Sequence, residues 1–289
     1  MKKALLILSL LIVLASPSGA QSLESQPNII YNSQEQGNPK PIPYPFIRQT
    51  DVVWSIDIWK TIVSDELFNQ FFYFPNDEFR TFGKKSLAYI LWDAMAAGEI
   101  PIYEDDDLLI PIDNAAFVER YTRPDTIQLE VGYDEDDNEL YETVIRPKSF
   151  DGSDIYRYAI REVWFIGRQD TRQDSRRMAL APLKETYREL LHGEDIPLGL
   201  QPLFWVPMQN PAVRSLLARY TAYIDGNNVV RQPSWDWIFI NQYYEAFVTR
   251  ESNRYLRSVG QYLTGEDAIL EASIIEEKVF DIEEAMWEY

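Results

Sequence analysis

The 289-residue chain has no cysteine and only one histidine, His192. The first absence excludes disulfides, a cysteine nucleophile, thiolate-bound zinc and the lipidated cysteine of a bacterial lipoprotein. A single imidazole leaves no multi-histidine metal site and only one possible catalytic base of that type. No GxSxG elbow accompanies it, and in the context LLHGED it reads as a structural residue at a helix end. The 12 glycines are scattered, with neither GxGxxG nor GxxxxGK(S/T), so nucleotide binding through a phosphate loop is not expected. Basic residues are scarce: 27 Lys and Arg stand against 46 Asp and Glu, a formal charge of −19. Such a surface repels nucleic acid and anionic headgroups. Long apolar runs are missing too. The longest, Ala4 to Ala15, is shorter than the roughly 20 residues that a membrane-spanning helix needs.

That run follows Lys2 and Lys3 and ends at the small residues Ser18, Gly19 and Ala20. The pattern is that of a secretory signal peptide over residues 1–20, so the mature chain is expected to begin near Gln21, outside the cytoplasm and without a membrane anchor of its own. Residues 21–50 are rich in Gln, Asn, Ser and Pro, with Pro39, Pro41, Pro43 and Pro45 at alternate positions. Prolines so spaced favour an extended chain. This arm is expected to lie along a neighbouring subunit, with Pro41, Pro43 and Pro45 as contacts. Globular patterning runs from Asp51 to Tyr289 without a fixed-period repeat, giving one domain.

Within that domain, Val52 to Val63 fits a strand or a helix and stays unassigned. Leu87, Leu91, Ala94 and Met95 recur at helical spacing, with Gly98 placed to stop the helix. Strands are expected in EIPIY, over Asp125 to Gly132, over Leu140 to Arg146 and over Ile155 to Ile166, and a short one in PLFWVP. Helices follow over Pro211 to Tyr220, from Ser234 to about Phe247, and over Glu266 to Trp287. Without regular βαβ alternation, this is an α+β arrangement: a single mixed domain with short antiparallel strands and several helices, preceded by an extended Pro-rich arm.

Chemistry-bearing patterns are weak. Aligning Asp134, Asp136 and Asn138 with a calcium loop leaves Glu139 where the turn glycine belongs and Ile145 where the bidentate glutamate belongs, so this cluster and Glu104 to Asp107 read as solvated turns. Arg168, Arg172, Arg176 and Arg177 read as internal charge partners in an acidic protein. A glycan- or peptidoglycan-acting hydrolase with a carboxylate pair is the runner-up function, but no spacing singles out two acids. No metal or other cofactor is expected. Nor is an enzymatic activity.

The last helix gives the sharpest pattern. Ile275, Val279, Ile282 and Met286 form its core stripe, while Phe280 and Trp287, seven residues apart, share another face with Glu276, Glu283 and Glu284. Aromatic anchors among acids suit a protein-binding face, and equally a second layer of the same protein. Glu283, Glu284 and Glu288 also crowd the negative end of the helix dipole, which a partner's basic residues would relieve. Phe280, Glu283, Glu284 and Trp287 are therefore the expected partner contacts.

The C-terminal stretch SWDWIFINQYYEAFVTRESNRYLRSVGQYLTGEDAILEASIIEEKVFDIEEAMWEY resembles the GldN/PorN family of gliding-motility and type IX secretion proteins of Bacteroidetes. So do VVWSIDIW with FYFP nearby, KKSLAYILWDAMAAGEIPIY, REVWFIGRQ and PLFWVPMQNPAVRSLLARY. Together these cover most of Asp51 to Tyr289. The resemblance implies a periplasmic, non-catalytic structural component that forms a ring with further copies of itself and an outer-membrane lipoprotein of the GldK/PorK kind. It also implies contact with the periplasmic part of a GldM/PorM-like motor protein, and brings no cofactor.

Overall fold

A computed structural model describes residues 40–75, 85–133, 139–146, 148–168, 173–188, 196–224, 233–252 and 257–287; of 125–133, 139–146, 187–188, 196–198, 279, 283 and 286–287 it describes the backbone alone. The expected signal peptide, most of the arm, His192, Arg172 and the acidic turn at 134–138 lie outside the described residues. The fold below is that of Pro41–Tyr289.

Its centre is a six-stranded antiparallel sheet. In chain order the described strands are β1 (Val52–Val63), β2 (Ile102–Tyr103), β3 (Pro111–Ile112), β4 (Asp125–Tyr133), β5 (Glu139–Arg146), β6 (Arg157–Gly167), β7 (Gln173–Arg188), β8 (Ile196–Pro202), β9 (Val206–Pro207) and β10 (Phe247–Glu251). The main sheet runs β10-β1-β6-β7-β8, with β9 added to β7; β2-β3 and β4-β5 pair separately. The helices are α1 (Leu87–Ala96), α2 (Asn114–Thr122), α3 (Pro211–Arg219), α4 (Trp235–Ile240) and α5 (Glu266–Trp287). The fold is thus the mixed α+β domain expected from the sequence.

Tertiary pairing resolves the ambiguity of Val52 to Val63. This segment is flanked by β6 over nearly its whole length and by β10 over Ile58 to Thr61, so its β-branched and aromatic residues sit in a sheet interior where they pack well. Strand β6 alternates as far as Trp164, with Tyr158, Ile160, Glu162 and Trp164 buried on one face, and beyond it Phe165 and Ile166 are both buried. Against it β7 carries one extra residue, because Arg161 pairs with Ala179 but Glu162 with Arg177, leaving Met178 as a bulge.

One face of β6 therefore bears two apolar clusters in sequence. Tyr158 and Ile160 belong to the main core, with Leu87, Leu91 and Met95 of α1, Val213 and Leu217 of α3, Trp235 and Phe239 of α4, and Phe71 and Phe72. Trp164 belongs to a second cluster with Ile58, Val248, Val259 and Ile275 of α5. Glu162 stands between them.

Local chemistry sets the helix limits. Gly98 takes φ +72°, which closes α1 while its N–H donates to the Met95 carbonyl. Asn210 accepts from Ala212 N–H ahead of Pro211, and Ser234 from Trp237 N–H, starting α3 and α4. Helix α4 does not reach Phe247. Asn241 donates its side-chain amide to the Trp237 carbonyl and Gln242 adopts φ 51°, so the chain turns away and returns as β10. Apolar residues on all sides of the expected long helix are thereby explained: they belong to two different elements.

The acidic stretch Glu104 to Asp107 is not simply solvated. Asp105 accepts from Leu109 and Ile110 N–H, Asp107 pairs with Arg161 at 2.9 Å, and Asp106 pairs with Arg250, whose guanidinium lies 3.7 Å from the Trp59 ring centroid. Its carboxylates pin a loop across the sheet face opposite Glu162.

Candidate interaction surface

Helix α5 is attached to the domain along one narrow stripe. Ala268, Ala272 and Ile275, at helical spacing, pack into the second cluster, and two ion pairs flank them: Lys60 with Glu276 at 3.1 Å and Lys278 with Glu251 at 3.3 Å. Of the expected core stripe, Ile275 is buried and Ile282 half-buried, while Val279 and Met286 lie outside the described side chains. Most other described side chains of the helix face outward. Ile269 and Leu270 are 63% and 60% exposed, Ile274 46% and Phe280 58%. Exposed Glu277, Asp281 and Glu284 are interleaved with them.

Phe280 and Glu284, expected as partner contacts, are thus on the surface; the side chains of Glu283 and Trp287 lie outside the described ones. Sequence reasoning missed Ile269, Leu270 and Ile274. The available signal was the helical wheel, where these three widen the apolar arc well beyond what one core stripe uses.

Between α5 and the sheet lies a groove of about 410 Å³, walled by Phe247, Ile269 and Ala272 and floored by Lys60, Glu162 and Tyr244, with Glu245 and Glu276 also lining it. Glu162 does not offer a free carboxylate there. Its Oε1 accepts from the Tyr244 hydroxyl at 2.6 Å and its Oε2 from Trp164 Nε1 at 2.8 Å, while Arg177 Nε stands 3.6 Å from Oε1. Arg177 in turn donates to the Ile240 carbonyl and to Ser175 Oγ. Burial, then the Glu162 charge, holds the Tyr244 hydroxyl well above its ordinary pKa. For Arg177 burial works against the charge, but Tyr244 and Glu162 outweigh it and the guanidinium is held more firmly protonated. Of the four clustered arginines, Arg177 is therefore an internal charge partner, whereas Arg168 is exposed. Both Glu162 oxygens are thus hydrogen-bonded, Arg177 Nε alone lacking a hydrogen-bond partner, and the arrangement is a buried network and a poor acid or base.

The Pro41–Pro45 segment lies against the domain of its own chain. Ile42 N–H donates to Asp236 Oδ2 at 2.7 Å, Arg214 donates to the Ile42 carbonyl, and Arg176 donates to the Pro45 carbonyl at 2.5 Å. Tyr44 is covered by the Arg214 guanidinium at 4.5 Å. Pro43 and Pro45 are exposed and Pro41 half-buried. The alternating pattern that suggested an arm marks, in this stretch, an extended strap whose carbonyls are read by arginines.

Among the described residues there is no group of three or more metal-ligating side chains, and no helix is long and apolar enough to cross a membrane. A family model described as GldN, gliding motility associated protein GldN, matches residues 47–288. No curated protein matches the chain.

Proposed function

Since the chain belongs to the GldN family of gliding motility associated proteins, we propose that it is a non-catalytic structural component of the gliding and type IX secretion machinery. In this reading it resides in the periplasm, forms a ring with copies of itself and a GldK/PorK-like outer-membrane lipoprotein, and touches the periplasmic part of a GldM/PorM-like motor protein. The lipoprotein supplies the membrane attachment that a chain without cysteine cannot make for itself.

The outward band of α5 carries this reading. Four large apolar side chains interleaved with carboxylates, on a helix held by a single stripe, have the composition of an interface centre with a polar rim. The hydrolase alternative gains no support from Glu162, whose two oxygens are already taken by Tyr244 and Trp164.

The test is the triple variant Leu270→Ser, Ile274→Ser, Phe280→Ser in the full chain. Exposed positions should leave the unfolding free energy within about 0.5 kcal/mol per substitution. Co-isolation of the lipoprotein and motor partners from envelopes should fall at least about tenfold, the loss of one interface anchor of about 1.4 kcal/mol or more. A variant that folds normally and still brings down both partners in full yield would show that α5 is ordinary surface.

A further inference from the structure

Three rings carried by the segments after β1 and at the end of α4 form an exposed platform. Phe68 and Tyr243 are 4.9 Å apart between centroids, Tyr243 and Trp237 5.8 Å, and buried Phe71 roots the platform in the core at 6.2 Å from Tyr243. Leu67, 84% exposed, lies at its margin in sequence. The platform is held rigidly. Gln242 in its left-handed conformation turns Tyr243 outward, and Tyr243 N–H donates to the Ile238 carbonyl.

A buried asparagine joins the two segments that carry these rings. Asn69 donates to the Glu245 carbonyl at 2.8 Å and to the Val63 carbonyl at 3.0 Å, and accepts from Glu245 N–H at 3.0 Å. It also reaches Glu66 Oε2 at 3.4 Å. Asn69 thereby brings Glu66 and Glu245, each within two residues of a platform ring in sequence, into the same neighbourhood. Burial and then the neighbouring Glu245 charge raise the Glu66 pKa. Among the described residues no lysine or arginine pairs with either acid. Two neighbouring carboxylates on the segments that carry exposed π faces favour a cation with an apolar stem as occupant.

We propose that this platform is a second docking surface, one that takes a lysine- or arginine-bearing segment of a partner protein. The cationic head meets Glu66 and Glu245 while the aliphatic stem and its apolar neighbours lie on Trp237, Tyr243 and Phe68. Glu245 also lines the groove beside α5, but the rings and Glu66 do not, and the surface does not depend on the role given to that helix.

The test places a benzophenone amino acid at position 68 of the full chain in intact envelopes, irradiates, and sequences the attached peptide. The expected product is a peptide of another protein with Lys or Arg within three residues of the attachment point. Its yield should fall at least tenfold in the variant Glu66→Gln, Glu245→Gln, with circular dichroism showing that this variant is folded. A second variant, Trp237→Ala, should also lose the product without removing any charge. The proposal is overturned by yields no higher than with the same probe at exposed Tyr223, by attachment to a second copy of this chain, by an attached peptide without a basic residue, or by yields that the neutralised variant leaves unchanged.

Discussion

The Glu162 carboxylate and the Arg177 guanidinium face each other across β6 and β7 at 3.6 Å, with side chains 1% and 3% exposed. The bulge at Met178 makes this possible, since it shifts the register by one residue so that Arg177 lands opposite Glu162. The pair separates the two apolar clusters and is tied to α4 through Ile240 and to the following segment through Tyr244. Removing one partner leaves a buried charge alone. Glu162→Gln or Arg177→Met should each lower the unfolding free energy by about 3–5 kcal/mol, whereas the double variant should lose less than the two combined. Urea titration of the three variants measures this, and strict additivity would mean that the pair does not act as a unit.

Two buried tyrosines set the alkaline limit. Burial raises the pKa of Tyr158, and burial with the Glu162 charge raises that of Tyr244. Because the folded values lie above the unfolded value near 10, the associated stability is fully present below about pH 10 and is lost as pH climbs from there toward the folded values. Each tyrosine contributes a fall of about 1.4 kcal/mol per pH unit in that window. Urea midpoints at pH 9 and above pH 11 should differ steeply, and Tyr244→Phe should flatten the slope. An unchanged slope would remove Tyr244 from the account.

Asp236 is the centre of the strap's hydrogen bonding at Ile42. It accepts from Ile42 N–H and from Arg214, which itself holds the Ile42 carbonyl. Asp236→Asn should cost about 3–5 kcal/mol, because Arg214 then keeps its charge in a largely buried position. Hydrogen exchange at the Ile42 amide should accelerate by at least about tenfold, the equivalent of one lost hydrogen bond of about 1.4 kcal/mol. Unaltered protection of that amide would show that the strap is held by Tyr44 and its neighbours alone.

The loop at Glu104 to Asp107 should respond unevenly to substitution. Asp106→Ala breaks the pair with Arg250, which is partly exposed, so the loss should be about 1 kcal/mol after solvent screening. Glu104→Gln should change the melting temperature hardly at all, since no ion pair to its side chain is found among the described residues. Equal effects of the two substitutions in thermal melts would return the loop to the status of a solvated turn.

Helices α1, α3 and α5 were legible because each carries its own signals: Gly98 past the end of one, Asn210 and Pro211 at the start of another, and apolar periodicity through the third. Strand β7 was not. Its sequence QDSRRMALAPLKETYR mixes alanines, a proline and two adjacent arginines, and only the neighbours β6, β8 and β9 make it a strand. The end of α4 was missed because Asn241 and Gln242 are a weaker stop signal than glycine or proline. As for the surface, Phe280 and Glu284 were legible from helical spacing, but the groove and the platform were not. Both depend on the segment after α4, and what brings Glu66 beside Glu245 is a single buried asparagine whose reach no local pattern announces.

Strand β1 has no partner strand nearby in sequence: β6 covers one edge and β10 the other. Ile58, fully buried in the finished protein, needs Trp164, Val248, Val259 and Ile275 around it. A chain made from its N-terminus onward therefore carries VVWSIDIW with both edges open until β6 has emerged and with one edge open until β10 follows, and the cluster around Ile58 is complete only with Ile275. Closure of the sheet at β10 waits on contacts of very long sequence separation and should be slow. For that interval the nascent protein presents a Trp- and Ile-rich strand of the type that aggregates or is held by chaperones. The same topology leaves the cluster around Ile58 incomplete for as long as the last helix is withheld, so the first strand made is among the last to be fully enclosed.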